Sequence, residues 1–135
     1  MFVSETKIRV RYAETDQMGY VYYGNYAQYY EVARVEALRQ VNLSYKMFEE
    51  QGIMMPVLHL SCKYIKPAYY DDLLTIKTMI KKLPGIRIEF LYEIYNEEGV
   101  LLNQGETVLV CINMKTQRPC QAPAHLMDAL AAYFN

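Results

Sequence analysis

The chain has 135 residues, of which 53% are hydrophobic and 21% charged, with a formal net charge of −1. That length and composition suit one globular domain with a real core. The near-neutral charge excludes the broad basic surface of a nucleic-acid binder, although not a small basic pocket. An odd count of three cysteines, Cys62, Cys111 and Cys120, without a CxxC pair, points to a reducing compartment. The opening "MFVSETKIRVRY" lacks the pattern of a signal peptide, and no apolar run reaches the roughly 18–20 residues of a membrane span. The expectation is a single domain over residues 1–135, cytoplasmic, with no nucleic acid and no membrane partner.

Taken in order, residues 5–13 alternate, with Ile8, Val10 and Tyr12 opposed to Lys7, Arg9 and Arg11, which predicts a half-buried strand. Residues 14–24 carry turn formers and read as a loop. The spacing predicts a helix over about 25–41, opened by Asn25 as N-cap. From Tyr26 to Leu38 this helix is apolar or aromatic around most of its girth, so it should be largely buried. A short helix over about 44–51 ends at Gly52. Four strand candidates follow, at 55–66, 73–82, 86–95 and 100–114, separated by "PAYYDD", "LPG" and "NEEG". The first of these puts Leu58, Leu60, Cys62 and Tyr64 on one face. The last segment, "APAHLMDALAAYFN", reads as a helix with Pro123 near its first turn. The implied architecture is α+β: an antiparallel sheet curved around one long early helix. Its exposed edges favour edge-to-edge dimerisation.

Several chemistries have no motif here. GxSxG, HExxH, the P-loop and GxGxxG are all missing from the sequence. His59 and His125 are far apart, and neither has metal-ligand spacing. Strand alternation sends His59 and Cys62 to opposite faces, which leaves Cys62 as a core cysteine. The informative stretch is "RYAETDQMGYVYYGNYAQYYEVARVEALR", residues 11–39. It places Asp16 in the loop that leads into the buried helix. Asp before Gly in a loop is ordinary turn chemistry. Equally, unpaired N–H groups at a helix start can hold an oxyanion. A nearby carboxylate can then attack a carbonyl or activate water. Gly19 would permit tight backbone geometry between the two and is expected to border the bound substrate.

The same stretch resembles the signature of the hotdog-fold acyl-CoA thioesterases of the 4-hydroxybenzoyl-CoA thioesterase group. The parts that fit are "ETD", Gly19, "VYYGNY" and the Glu31–Arg34 spacing, and "YIKPAYYDDLLTI" at 64–76 is also similar. The likeness covers nearly the whole chain. It implies a hotdog fold, with two protomers side by side and active sites at their interface. Such dimers often pair further, so a homodimer or homotetramer is expected. It implies that Asp16 is catalytic, as nucleophile or general base. It also implies that the backbone N–H of Tyr23 polarises the thioester carbonyl, where many relatives carry His. Asn25 and Tyr26 match the "NY" that opens the helix, with Asn25 a cap or a substrate contact. Glu31 and Arg34 match a helical pair of structural or intersubunit character.

The expected substrate is then a small or medium acyl- or aroyl-CoA, cleaved to the free acid and CoA. No cofactor is expected beyond the coenzyme A carried by the substrate, and no metal. Lys81, Lys82 and Arg87, clustered around "KKLPGIR", are the expected contact for the CoA phosphates. Two rivals share the fold: an acyl-carrier-protein thioesterase and a non-catalytic acyl-CoA-binding protein. A hotdog dehydratase would pair its acid with a histidine, and neither histidine lies near the motif.

Overall fold

The computed structural model describes residues 1–134. Its main sheet has five antiparallel strands: β1 (Phe2–Arg9), β3 (Val57–Tyr64), β4 (Leu73–Ile80), β5 (Arg87–Tyr95) and β6 (Leu101–Val110), in the spatial order β1-β4-β5-β6-β3. Three short strands, β2 (Ile53–Met54), β7 (Ile112–Asn113) and β8 (Arg118–Pro119), form a second sheet. The helices are α1 (Tyr26–Arg39), α2 (Tyr45–Glu50) and α3 (Ala124–Ala131). Among the described residues, no helix is long and apolar enough to cross a membrane.

Period-2 alternation builds the inner face of the sheet. Leu74, Ile76 and Ile80 of β4, and Ile88, Phe90, Tyr92 and Ile94 of β5, are almost wholly buried. So are Leu102 and Leu109 of β6. Against that face lies one side of α1, made of Tyr26, Tyr29, Tyr30, Ala33, Arg34, Ala37 and Leu38. These positions recur at helical spacing, so they share a stripe. The opposite side of α1 is wetter than its composition predicts, since Ala27 and Val32 are exposed. The helix is embraced on one side only, and that is sufficient for burial of its large residues.

Tyr30 makes the central contact. Its ring stacks on Tyr92 with centroids 4.3 Å apart and planes 6° from parallel. Its hydroxyl donates to Asn103 on β6 and contacts Cys62 Sγ on β3 at 3.2 Å. The Asn103 amide donates to the same sulfur at 3.1 Å. Cys62 is therefore half-buried and tied into a polar cluster, rather than the plain core filler that its alternation predicts. Such a cluster is tolerable under a helix because its members satisfy one another.

Two boundaries differ from expectation. The first strand begins at Phe2 and ends at Arg9, not 5–13. Beyond it Val10 is buried, but Tyr12 is exposed in a 3-10 turn, Tyr12–Glu14. The backbone leaves the sheet there because the Arg11 N–H donates to the Glu14 carboxylate at 2.8 Å. The alternating strand β3 pairs on one side only, with β6, and Leu58, Leu60 and Tyr64 are 53%, 42% and 52% exposed. Its apolar residues thus form an uncovered sheet edge.

A Cβ on Gly105 of β6 would overlap the Tyr30 hydroxyl and ring. Gly105→Ala should therefore lower stability by about 1–3 kcal/mol, the usual cost of overpacking. Urea unfolding of the two proteins measures it, and an unchanged midpoint would contradict the packing described.

Candidate active site

Residues 10–25 fold back on themselves between β1 and α1. Thr15 bridges Val21, and Tyr20 bridges Tyr69 from the segment after β3. Gly19 adopts φ +80° and its N–H closes the turn on the Asp16 carbonyl at 3.0 Å. That left-handed conformation favours glycine. Gly19 therefore shapes the loop and is not itself on the cleft wall described below.

Asp16 uses one oxygen to hold this turn. Its Oδ1 accepts from the N–H of Met18 at 3.0 Å and of Tyr20 at 3.2 Å. Its Oδ2 has no hydrogen-bond partner among the described residues. Both readings of an Asp before a turn glycine thus hold at once. The turn fixes the plane of the carboxylate, and the second oxygen stays available.

The side chain lines a cleft of about 270 Å³ together with Met18, Tyr20, Val21, Tyr23, Tyr26, Tyr64, Ile65, Lys66 and Pro67. The walls are aromatic and apolar, with one carboxylate and one ammonium. A larger concavity of about 410 Å³ lies over β3–β6, lined by Ser61, Lys63, Glu93, Gln104 and Glu106 among others. It lacks both the helix start and Asp16, so the smaller cleft is the candidate site.

A 3-10 turn, Tyr23–Asn25, runs directly into α1. Consequently the first unpaired donors are not at Tyr26 but at Tyr23 and Gly24, whose N–H groups have no acceptor among the described residues. The peptide carbonyls that set their directions are fixed. The Tyr22 carbonyl accepts from Asn25 N–H at 2.9 Å. The Tyr23 carbonyl accepts from Tyr26 N–H and from the Tyr64 hydroxyl, the latter at 3.2 Å. Tyr64 reaches across from the end of β3 to do this. Burial first, and then the neighbouring Cys62 thiol, push the Tyr26 and Tyr64 phenols up to about 12, so both are protonated donors at neutral pH.

Asn25 stands at the N-cap position of α1, as the sequence predicts, but makes no capping hydrogen bond. Its backbone is already helical, with φ −79° and ψ −14°, and its side chain caps nothing. Instead Nδ2 donates to the Glu14 carbonyl at 2.8 Å, pinning the turn to the loop. The 3-10 turn ahead of α1 holds residue 25 in helical backbone and so leaves no capping geometry there.

Lys81, Lys82 and Arg87 lie elsewhere in the chain. The antiparallel registers put Tyr64 beside Asn103, and Tyr95 beside Leu101 and Thr75, all at the end of the sheet that carries the cleft. Arg87 pairs with Val110 at the other end, and Lys81 and Lys82 follow β4 there. The length of β4, roughly 23 Å of extended strand, separates the two ends. Lys82 is also engaged by Glu89 at 2.8 Å. Lys66 is the cation that lines the cleft within one chain. Its position just before Pro67, where β3 gives way to the next turn, was the available sign.

Comparison with known proteins gives the family. The family model for the thioesterase-like superfamily matches residues 10–130. The chain belongs to the thioesterase-like superfamily. This family member is 34% identical over 133 residues to a putative acyl-CoA thioesterase, YneP, of Bacillus subtilis, covering 98% of this chain and 96% of that one. It is 40% identical to the structure of a DHNA-CoA thioesterase from Staphylococcus aureus, with TM-score 0.85 and coverage of 99% and 85%. The structure of a 4-hydroxybenzoyl CoA thioesterase superposes at TM-score 0.85, covering 96% of this chain and 99% of that one. At 20% identity that likeness shows the hotdog fold alone.

Tyr64, on the cleft wall, and Glu14, behind it, lie in stretches that carry the family likeness, but nothing in the sequence pattern gives either side chain a role of its own. Tyr64 looks like any inward strand tyrosine. Glu14 looks like a loop acid, yet it is buried. Burial alone would raise its carboxyl pKa, but the Arg11 N–H, the Tyr29 hydroxyl and the Arg11 guanidinium outweigh it, and the pKa lies below the ordinary glutamate value. A carboxyl with a depressed folded pKa adds stability that is complete above its unfolded pKa and is lost as pH falls through the folded one. Wild type should therefore melt above Glu14→Gln at about pH 6, and the gap should close towards about pH 3. Parallel melting curves across that range would show that Glu14 is not held as described.

Proposed function

We propose that this chain hydrolyses the thioester of a small or medium acyl- or aroyl-CoA. The observation that carries the reading is one apolar cleft lined by Asp16 and Tyr23, the Oδ2 of the first and the N–H of the second having no hydrogen-bond partner among the described residues. The relatives named acyl-CoA and DHNA-CoA thioesterases support it.

In the proposed reaction, the thioester carbonyl oxygen accepts from Tyr23 N–H, where the α1 dipole adds positive potential. Asp16 then attacks the carbonyl carbon, or takes a proton from a water that attacks it. Negative charge collects on the carbonyl oxygen and is held there. The C–S bond breaks, and the sulfur departs as the thiolate of CoA and takes up a proton. If Asp16 attacks first, water cleaves the resulting anhydride and restores the carboxylate. The products are the free acid and CoA. The aromatic walls formed by Tyr20, Tyr23, Tyr26 and Tyr64 suit a flat or short acyl group.

The unpaired edge of β3 supports a dimer. Pairing β3 with its copy about a two-fold axis would cover Leu58, Leu60 and Tyr64 and extend the sheet across both protomers. Antiparallel pairing would also reverse the ends, bringing the partner's basic turn to the end that holds Asp16. There Arg87, two strand spacings or roughly 10 Å from its own β3, and Lys81 and Lys82, three spacings or roughly 14 Å from it, would meet the CoA phosphates. Lys66 would serve the same ligand from within the chain.

Free-thiol release from a panel of aliphatic and aromatic acyl-CoAs tests the chemistry. Wild type should turn over, and Asp16→Asn should lose at least about a hundredfold in kcat, the size of a general-base effect. Equal rates in the two folded proteins would remove Asp16 from the reaction. Sedimentation tests the assembly: wild type should be dimeric or larger, and Leu60→Asp, which puts a charge on the bare edge, should be monomeric and inactive. A monomer with wild-type turnover would sink the interface-built site.

A further inference from the structure

We infer that Glu14 is a positioning residue for this hydrolysis, setting the separation between the Asp16 carboxylate and the Tyr23 and Gly24 donors. The inference rests on the thioesterase reading above. It concerns a residue that does not line the cleft and so touches no substrate.

Glu14 is only 7% exposed and is saturated with contacts. Its Oε1 accepts from Arg11 N–H at 2.8 Å and from the Tyr29 hydroxyl at 3.0 Å. Its Oε2 takes the Arg11 guanidinium at 3.1 Å. Its carbonyl accepts from Tyr22 N–H at 2.8 Å and from the Asn25 side chain at 2.8 Å. The placement of these partners is what matters. Tyr22 and Asn25 flank the two free N–H groups, and Tyr29 lies on α1 one turn beyond Tyr26 of the cleft wall. Asp16 is two residues along the same backbone. Glu14 thus joins the strip that carries the carboxylate to both sides of the strip that carries the donors.

The side-chain part of this clamp is not an ordinary surface ion pair. Arg11 is 76% exposed on its side chain, so its charge contributes little. The buried bond is that to the Tyr29 hydroxyl, the bond to the Arg11 N–H is half-buried, and a charged acceptor strengthens both. A glutamine retains the shape but replaces one acceptor oxygen with an NH2 group that must face a donor. The loop then shifts by a fraction of an ångström relative to α1. Misplacement of that order lowers rate far more than affinity when it separates a catalytic group from its oxyanion site.

The test is a double-mutant cycle on kcat and KM, using Glu14→Gln, Asp16→Asn and the pair, with circular dichroism to confirm folding. In the wild-type background Glu14→Gln should lower kcat by about ten- to a hundredfold with KM within about twofold. In the Asp16→Asn background it should cost nothing further, because the group it positions is gone. Tyr29→Phe, which removes the other end of the buried bond, should lower kcat in the same direction. It should be equally silent in the Asp16→Asn background, and it replaces Glu14→Gln in the cycle if that variant does not fold. The same fold-loss in both Asp16 backgrounds, or a wild-type kcat in Glu14→Gln, overturns the inference while leaving the hydrolase reading intact. Undiminished turnover by Asp16→Asn alone overturns the reading beneath it.

Discussion

The approach of α1 to the sheet sets everything else in this molecule. Tyr30 determines how close that approach is: its ring lies flat on Tyr92, its hydroxyl enters the Asn103–Cys62 cluster, and it occupies the space over Gly105. A helix held by a stacked ring, with polar atoms fixed on two different strands, has little freedom to slide or roll. Its axis therefore has one direction across the sheet, and its N-terminal end arrives at the end of the sheet where Tyr64 completes β3. The cleft exists because those two ends coincide.

The loop from residue 10 to 25 is long for a connection between a strand and a helix, and it is held by side chains rather than by regular structure. Three polar residues share the task. Glu14 fastens the loop to α1, Asp16 closes its turn with one oxygen, and Asn25 fastens the helix start back to Glu14. Because Asp16 is both a turn former and the proposed reactive group, its carboxylate enters the cleft without free rotation. Preorganisation of this kind is what electrostatic catalysis needs, since a fixed dipole costs no reorganisation when charge develops.

The edge strand explains the composition of the chain better than the core does. With Leu58, Leu60 and Tyr64 open to solvent, a solitary protomer carries an apolar pairing edge, a standing invitation to aggregation. The proposed dimer removes that hazard and accounts at the same time for a basic turn placed at the end of the sheet remote from Asp16. One geometric operation, reversal of strand direction across a two-fold axis, serves both.

What the sequence determined by itself was the set of local choices. Alternation in β4 and β5 and the turn glycine at 19 are written in short-range spacing, and the structure realises them, whereas α1, apolar around most of its girth in sequence, is buried on one side only. The family signature, likewise, is a run of neighbours. What only the tertiary structure decided were the pairings between distant segments. Tyr64 meets the Tyr23 carbonyl across 41 positions, and Glu14 meets Tyr29 across 15. Asn25 had the composition of a cap, but the 3-10 turn and the Glu14 carbonyl claimed it first. The basic cluster at 81–87 looked close to the chemistry only because distance along a strand cannot be read until its register is known. Local pattern follows from the period of one element, whereas a site is a convergence of several, and convergence is fixed by how the helix and sheet pack.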